Sequence, residues 1–277
     1  MTVISFEVEK LSAGHKKVAD FIYKNITSIA FLTEKDISSQ CGVSVATVSR
    51  FWGAVGYDNF KQFKQQLKQE TETTPAVKMK DKMGKVSSND VLDEIIQLEI
   101  DHLAETLATI SREDFKKAVK RISTAKRIFL YGSGASYALA ELLRFRLNRF
   151  GLNVQLIEKG GWEIFEHIPH IEQDDVVIVF GFANAPPEVK LLLDMTKRIG
   201  CCSILFTDMM VSELVEEAEI VLYSYRGALS EFHSLVVPTA IIDTLTIAIA
   251  KQDQGNKINK LQQLYELRKQ HAPKLQY

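Results

Sequence analysis

Residues Ile128–Leu142 read IFLYGSGASYALAEL, and the order of residue types in this stretch decides the fold. Ile128, Phe129, Leu130 and Tyr131 predict a short buried strand, Gly132 and Gly134 a tight turn, and Ala138, Leu139, Ala140 and Leu142 the opening of an amphipathic helix. A strand, Gly turn and helix in that order aim unpaired backbone N–H groups and the positive end of a helix dipole at one point, which is a natural anion site. Ser133 and Ser136 add hydroxyl donors there. The expected guest is a phosphorylated small molecule or a related anion.

Downstream of this turn the pattern keeps alternating. Apolar runs predict strands over 154–158, 175–180, 203–207 and 220–223, and helical patterns fall over 187–199, 212–217 and 231–251. Upstream, 115–123 reads as helix and 127–131 as the strand already described. Short apolar strands separated by amphipathic helices imply an α/β domain with a parallel sheet covered on both faces, whose ligands sit beyond the carboxyl ends of the strands. The turn at Gly132–Ser136 and the segment Gly181–Glu188 both lie at such ends, which makes Gly132, Ser133, Gly134, Ser136, Asn184 and Glu188 candidate ligand-binding residues, with His233 and Ser234 near the last strand.

The first quarter of the chain is different in kind. An amphipathic helix over 8–25 precedes TEKDISSQ, where Thr33 is the expected N-cap and Asp36 completes a near capping box. Cys41-Gly42-Val43 reads as a tight turn, and Ser44 caps a third helix, SVATVSRFWGAVG. Two short helices joined by a Gly-containing turn match a helix-turn-helix layout. In the third helix Val45, Val48 and Trp52, with Phe51 and Val55 beside them, are the expected core, leaving Ala46, Thr47, Ser49 and Arg50 outward. Small hydroxylated residues and one Arg at the front of such a helix suit the major groove, because the backbone can approach closely and Arg can pair with guanine or phosphate. A helical bundle with a merely solvated polar face would look much the same from this pattern. The next helix sets Lys61, Lys64 and Lys68 on one face, either along a phosphate backbone or in solvent. Candidate DNA-binding residues are Thr33, Ser44, Ala46, Thr47, Ser49, Arg50 and Lys61.

Charge is distributed in the same sense. Residues 1–80 carry a net +3 and the remainder −4, within an overall −1. An apolar fraction of 46% and a charged fraction of 25% leave room for a sizeable core over 277 residues. Cys41, Cys201 and Cys202 form no metal-binding or C-x-x-C spacing and suit reduced thiols, so neither metal nor cofactor is expected. MTVISFEVEK lacks a basic and apolar leader, and the most apolar run, Leu235–Ala250, is interrupted by Pro238 and Asp243. A cytoplasmic protein that makes no membrane contact is the expectation.

The domains expected are a DNA-binding domain over 1–75, a linker over 76–90 where apolar periodicity lapses, a ligand-sensing and dimerisation domain over 91–252, and a helical tail over 253–277. Apolar residues from Val91 through Leu103 and Leu107 to Ile110 predict a long helix able to pair with a second subunit.

SVATVSRFWGAVGYDNFKQFK followed, after a linker, by YGSGAS resembles the RpiR family of bacterial transcription regulators, in which a helix-turn-helix domain precedes a sugar isomerase (SIS) domain that senses phosphosugars. The resemblance runs from about Ser5 to Lys251 and implies a dimer, or dimer of dimers, that binds a double-stranded DNA operator and controls carbohydrate metabolism in response to a small effector. Ser44, Thr47, Ser49 and Arg50 stand where the family presents its recognition helix, and Gly132, Gly134 and Ser136 where it places a Gly-x-Gly-x-Ser phosphate cradle.

Two departures bear on the ligand. Where relatives carry Ser-x-Ser-Gly-x-Thr, this chain has Gly181-Phe182-Ala183-Asn184-Ala185-Pro186, without hydroxyls. Each lost hydrogen bond to a charged group is worth about 1.5–3 kcal/mol. Where many relatives carry Ser-Ser-Arg-Leu, this chain has Phe232-His233-Ser234-Leu235, so a cation is expected to be missing. A domain retained only for dimerisation is therefore an alternative. An isomerase is another: Glu166, His167, His170, Glu188 and His233 could serve as acid or base, but no spacing groups them. A dinucleotide site is a third: Gly132-x-Gly134-x-x-Tyr137 lacks the third Gly, although Glu158 lies at a suitable distance.

Overall fold

The computed structural model describes residues 11–25, 29, 32–71, 75–86, 90–183, 185–227 and 233–274. They fall into two compact units, one within residues 1–85 and one within 86–227 and 233–277.

The first unit is helical: α1 Ala13–Lys24, α2 Glu34–Cys41, α3 Val45–Ala54, α4 Phe60–Thr71 and α5 Pro75–Lys85. The local signals act as read. Thr33 accepts the Asp36 N–H while the Asp36 carboxylate accepts the Thr33 N–H, completing the capping box of α2. Gly42 ends α2 at φ +62°, a left-handed conformation that favours glycine, and Ser44 caps α3 by accepting the Thr47 N–H. Val18, Ile22, Ile37, Val48, Phe51, Trp52 and Phe63 are fully buried. Trp52 is the centre of this core, stacked on Phe60 and Phe63 at 4.7 and 4.8 Å and edge-on to Phe51 at 5.1 Å.

Two expectations for this unit change. Val45, the first residue of α3, is 45% exposed and does not join the core that buries Val48, Phe51 and Trp52. The stretch read as a linker contains α5. Its sequence, PAVKMKDKMGK, has Pro at the first position, where the missing N–H costs nothing, and Ala76, Met79 and Met83 at helical spacing, a short stripe that the linker reading passed over.

The second unit opens with α6 Val91–Thr109 and α7 Arg112–Thr124 and continues β1 Ile128–Tyr131, α8 Ala135–Asn148, β2 Val154–Leu156, β3 Val176–Phe180, α9 Pro187–Ile199, β4 Cys202–Thr207, α10 Glu213–Glu217, β5 Ile220–Tyr223, α11 Val236–Gln252 and α12 Gln254–His271. The five strands pair in parallel in the order β2-β1-β3-β4-β5. Strand alternation builds both layers. Ile128, Leu130, Val176, Ile178 and Phe180 face α7, α8 and α11, while Phe129, Tyr131, Val177 and Val179 face α9 and the 3-10 turns at Gly161–Glu166 and Ile168–His170. The fold is therefore α/β, a helical domain followed by a three-layer α/β/α domain with a parallel sheet.

The Arg127–Asp175 pair fastens the amino ends of β1 and β3. Arg127 donates to the fully buried Asp175 carboxylate at 2.7 and 3.0 Å, and this contact holds the guanidinium pKa above its ordinary value. The outward face of α6 carries Leu92, Ile96, Ile100 and Leu107, all exposed, whereas Glu99, His102 and Thr106 are buried on its inward side. Among the described residues no helix is long and apolar enough to cross a membrane.

Candidate functional site

In the helical unit, α3 presents Val45, Ala46, Ser49 and Arg50 on one exposed face. Arg50 folds back to donate to the Ala46 carbonyl at 3.1 Å, a local bond on the surface. Thr47 is half-buried: its hydroxyl lies 2.9 Å from that of Ser44, and its methyl packs near Gly14, where a Cβ would come within 3.1 Å. Thr33 and Ser44 spend their side chains as caps but remain exposed. Lys61 is exposed, whereas Lys64 lies 4.6 Å over the Phe60 ring and 3.5 Å from the Leu32 carbonyl, so the expected lysine stripe is partly committed to the fold. The Lys68 side chain is outside the described residues.

In the α/β unit the chain leaves β1 toward β2 on one side and returns to β3 on the other. The carboxyl ends of β1 and β3 therefore flank a crevice at the point where strand order reverses. Gly132 begins the turn after β1 and has no room for a side chain, since a Cβ would meet the Ser136 carbonyl oxygen at 2.5 Å. Gly134, at φ +55°, precedes α8 without supplying a side-chain cap, and the Ser136 and Tyr137 N–H groups donate to the Ser133 and Gly134 carbonyls at 3.0 and 3.2 Å. Ser133 is exposed and Ser136 half-buried beside them.

Across the crevice, Pro187 is the first residue of α9 and Glu188 the second. The Glu188 carboxylate reaches the loop after β2, accepting the Gly161 N–H at 2.8 Å. A Cβ on Gly160 would sit 2.8 Å from Glu188 Oε1 and 3.2 Å from the Tyr131 hydroxyl, so these groups form one tight cluster at the end of β1. Burial, and secondarily the Glu188 charge, hold the Tyr131 hydroxyl above its ordinary pKa. Burial and the charges of Glu141 and Glu158 do the same to Tyr137.

A cation stands at this end of the sheet after all. Arg226, just beyond β5, is buried, donates to Asp208 Oδ2 through Nε and Nη2 at 3.1 and 2.8 Å, and lies 3.7 Å over the Phe182 ring. Asp208 Oδ1 accepts the Ala183 N–H at 2.8 Å. Neither Arg226 nor Asp208 is close to Phe182 in sequence, so only the β3-β4-β5 pairing could have revealed the group. Asn184 lies outside the described residues. Ser234 accepts the Val236 N–H at 3.0 Å, a local turn bond, and His233 is half-buried. Glu166 and His170 are exposed on the 3-10 segment. A depression of about 340 Å³ lined by Lys126, Asp175 and Cys202 lies at the opposite, amino ends of the strands and is no part of this crevice.

A helix-turn-helix unit followed by a parallel α/β unit with a Gly-rich turn at its switch point defines a DNA reader joined to a ligand domain. Residues 1–74 match the helix-turn-helix domain of the rpiR family, and residues 121–248 match the SIS domain. The chain belongs to the rpiR family of helix-turn-helix and SIS transcription regulators. It is 22% identical to an uncharacterised HTH-type transcriptional regulator of Caldanaerobacter subterraneus, over 96% of each chain. It is 23% identical to the HTH-type regulator YfhH of Escherichia coli, over 88% of this chain and 89% of that one. Among solved structures, the Vibrio vulnificus NanR protein complexed with ManNAc-6P superposes with a TM-score of 0.70 at 22% identity, covering 98% and 97% of the two chains. The sugar isomerase domain of an RpiR transcription factor from Sphaerobacter thermophilus gives 0.59 at 22% identity, over 62% of this chain and 97% of that one.

Proposed function

We propose that this protein binds a palindromic operator as a homodimer and that a carbohydrate-derived metabolite in the β1/β3 crevice changes its hold on DNA, so that it regulates carbohydrate genes and catalyses no reaction. The observation that carries the DNA half is the front of α3, where Val45, Ala46, Ser49 and Arg50 lie exposed above the buried Val48, Phe51 and Trp52. Such a face lets Arg50 reach guanine or phosphate and lets Val45 and Ala46 meet a thymine methyl, with Thr33, Ser44, Thr47 and Lys61 placed for the backbone. Residues 1–75 then serve DNA, 76–90 connect, 91–252 sense and dimerise, and 253–277 form a tail.

The exposed stripe of Leu92, Ile96, Ile100 and Leu107 supports dimerisation through α6. NanR in complex with ManNAc-6P supports a sugar-type ligand for a crevice of this fold. Gly181, Ala183 and Pro186, which carry no hydroxyl, favour the second reading, in which the α/β domain only dimerises.

The experiment is selection of bound fragments from genomic DNA followed by footprinting. An inverted repeat with half-sites about 34 Å apart, one helical turn, is the expected result. Recovery of no common sequence would overturn operator recognition, and a repeat whose occupancy no metabolite changes would favour the second reading.

A further inference from the structure

Two helices of opposite charge each leave an apolar stripe open. On α6, Leu92, Ile96, Ile100 and Leu107 are exposed, and on α5, Met79 and Met83 are exposed with Ala76 one turn earlier on the same face. A run of large exposed apolar residues marks an interaction surface.

Charge says what suits each stripe. The α6 sequence, VLDEIIQLEIDHLAETLAT, holds five acidic residues and no Lys or Arg. Asp93, Gln97, Asp101 and Glu105 recur at every fourth position, all exposed, and form a ridge beside that of Leu92, Ile96 and Ile100. Among the described residues no ion pair joins Asp93, Asp101 or Glu105 to a cation. The α5 sequence, PAVKMKDKMGK, holds four lysines and one aspartate, and Lys80 and Lys82 fall on either side of the Met79 and Met83 stripe.

The simplest pairing is disfavoured on the same grounds. A two-fold contact of α6 with the α6 of a second copy sets one patch against itself, so acidic ridge meets acidic ridge with no cation to offset it. Contact of α5 with α5 sets lysine against lysine. Contact of α5 with α6 joins apolar stripe to apolar stripe and lysines to carboxylates. Neither stripe is covered in the single chain: Met83 and Leu92, the pair nearest in sequence, are 68 and 74% exposed.

We propose that the dimer closes by exchange, with α5 of each protomer lying on the α6 stripe of its partner and Lys80 and Lys82 against the Asp93–Glu105 ridge, in two contacts related by the two-fold axis. This rests on α6 being the dimerisation face, and it names the segment of the second copy that covers that face.

The test uses the full chain carrying Cys41→Ser, which removes the one native thiol that is not buried. Met83→Cys and Ile96→Cys chains with different affinity tags are co-expressed, the mixed dimer is isolated through both tags, and a flexible bismaleimide is added. Cross-linking of the mixed dimer, with neither variant cross-linking to itself, is the expected result. An Ile96→Cys homodimer that cross-links shows α6 against α6 and overturns the proposal. A Met83→Cys/Ile96→Cys double variant that cross-links within one chain when diluted into excess wild type overturns it too, as does a dimer in which no combination cross-links. Sedimentation of the wild type as a monomer removes the dimerisation face itself, and the proposal with it, which separates the two failures. Charge reversal is an independent readout: Lys80→Glu/Lys82→Glu should raise the dimer dissociation constant about tenfold, and adding Asp101→Lys and Glu105→Lys should restore it. A dissociation constant that the lysine changes leave unaltered would contradict the pairing.

Discussion

The indole N–H of Trp52 donates to the Glu34 carboxylate at 2.9 Å, so the residue at the centre of the helical core also clasps the first turn of α2. One side chain thereby fixes α3 against α2, which is the angle a DNA-reading helix has to keep. Trp52→Ala should cost about 3–5 kcal/mol of stability for the helical unit, and Glu34→Ala about 1 kcal/mol. Urea denaturation read by far-ultraviolet circular dichroism checks this, since Trp52→Ala leaves Trp162 as the one tryptophan and that residue lies in the other unit. An unaltered midpoint for Trp52→Ala would show that the aromatic stack does not carry the unit.

Acid should loosen the same unit through Asp36. Hydrogen bonds from the Thr33 side chain and backbone hold the Asp36 pKa below its ordinary 3.8. A carboxylate lowered in the folded state contributes stability that is fully present above 3.8 and is lost as pH falls through the folded value. Asp36→Ala should cost about 0.5–2 kcal/mol at neutral pH and should flatten the acid limb of the stability curve. A limb as steep as that of the wild type would assign it to other carboxylates.

Gly132→Ala should destabilise the α/β unit by about 1–3 kcal/mol, because its Cβ would overlap the Ser136 carbonyl. Circular dichroism during urea denaturation measures this, and operator release should fail in the same variant. Tolerance of alanine at 132 would mean that the turn relaxes to move the Ser136 carbonyl aside.

Alkylation should separate the three thiols. Burial pushes Cys201 up to about 11 and Cys202 up to about 12, while Cys41 is partly exposed and raised chiefly by burial. Iodoacetamide at mildly alkaline pH should label Cys41 first, followed by mass spectrometry of the peptides. Native-state labelling of Cys202 at a rate equal to that of Cys41 would contradict the packing of β4.

The helical unit and the sheet were legible wherever short-range chemistry decides. Thr33 with Asp36, Gly42 and Ser44 mark helix ends within four residues of sequence, and β5 at Ile220–Tyr223 and α9 at Pro187–Ile199 fall where apolar runs and periodicity place them. What escaped depends on partners distant in sequence or on the absence of a pattern. The Arg226–Asp208–Phe182 group joins residues from three strand ends, so the cation missing from 232–235 was found where no motif points. The 3-10 turns at Gly161–His170 have no amphipathic stripe to announce them, α5 shows only the short stripe of Ala76, Met79 and Met83, and Val45 is exposed although its spacing suits the core face. The turn from Gly132 to Ser136 and Glu188 across from it were readable in the sequence, whereas Asp208, which accepts the Ala183 N–H and pairs with Arg226, was not.

The central claim is that α3 reads DNA, and binding to the selected operator by fluorescence anisotropy over a salt series tests it most directly. Arg50→Ala should weaken binding by about 1–3 kcal/mol and relax discrimination at one base pair, while Lys61→Ala should weaken all sequences alike and lower the salt slope by about one. Wild-type affinity and specificity in Arg50→Ala at every salt concentration would contradict the account.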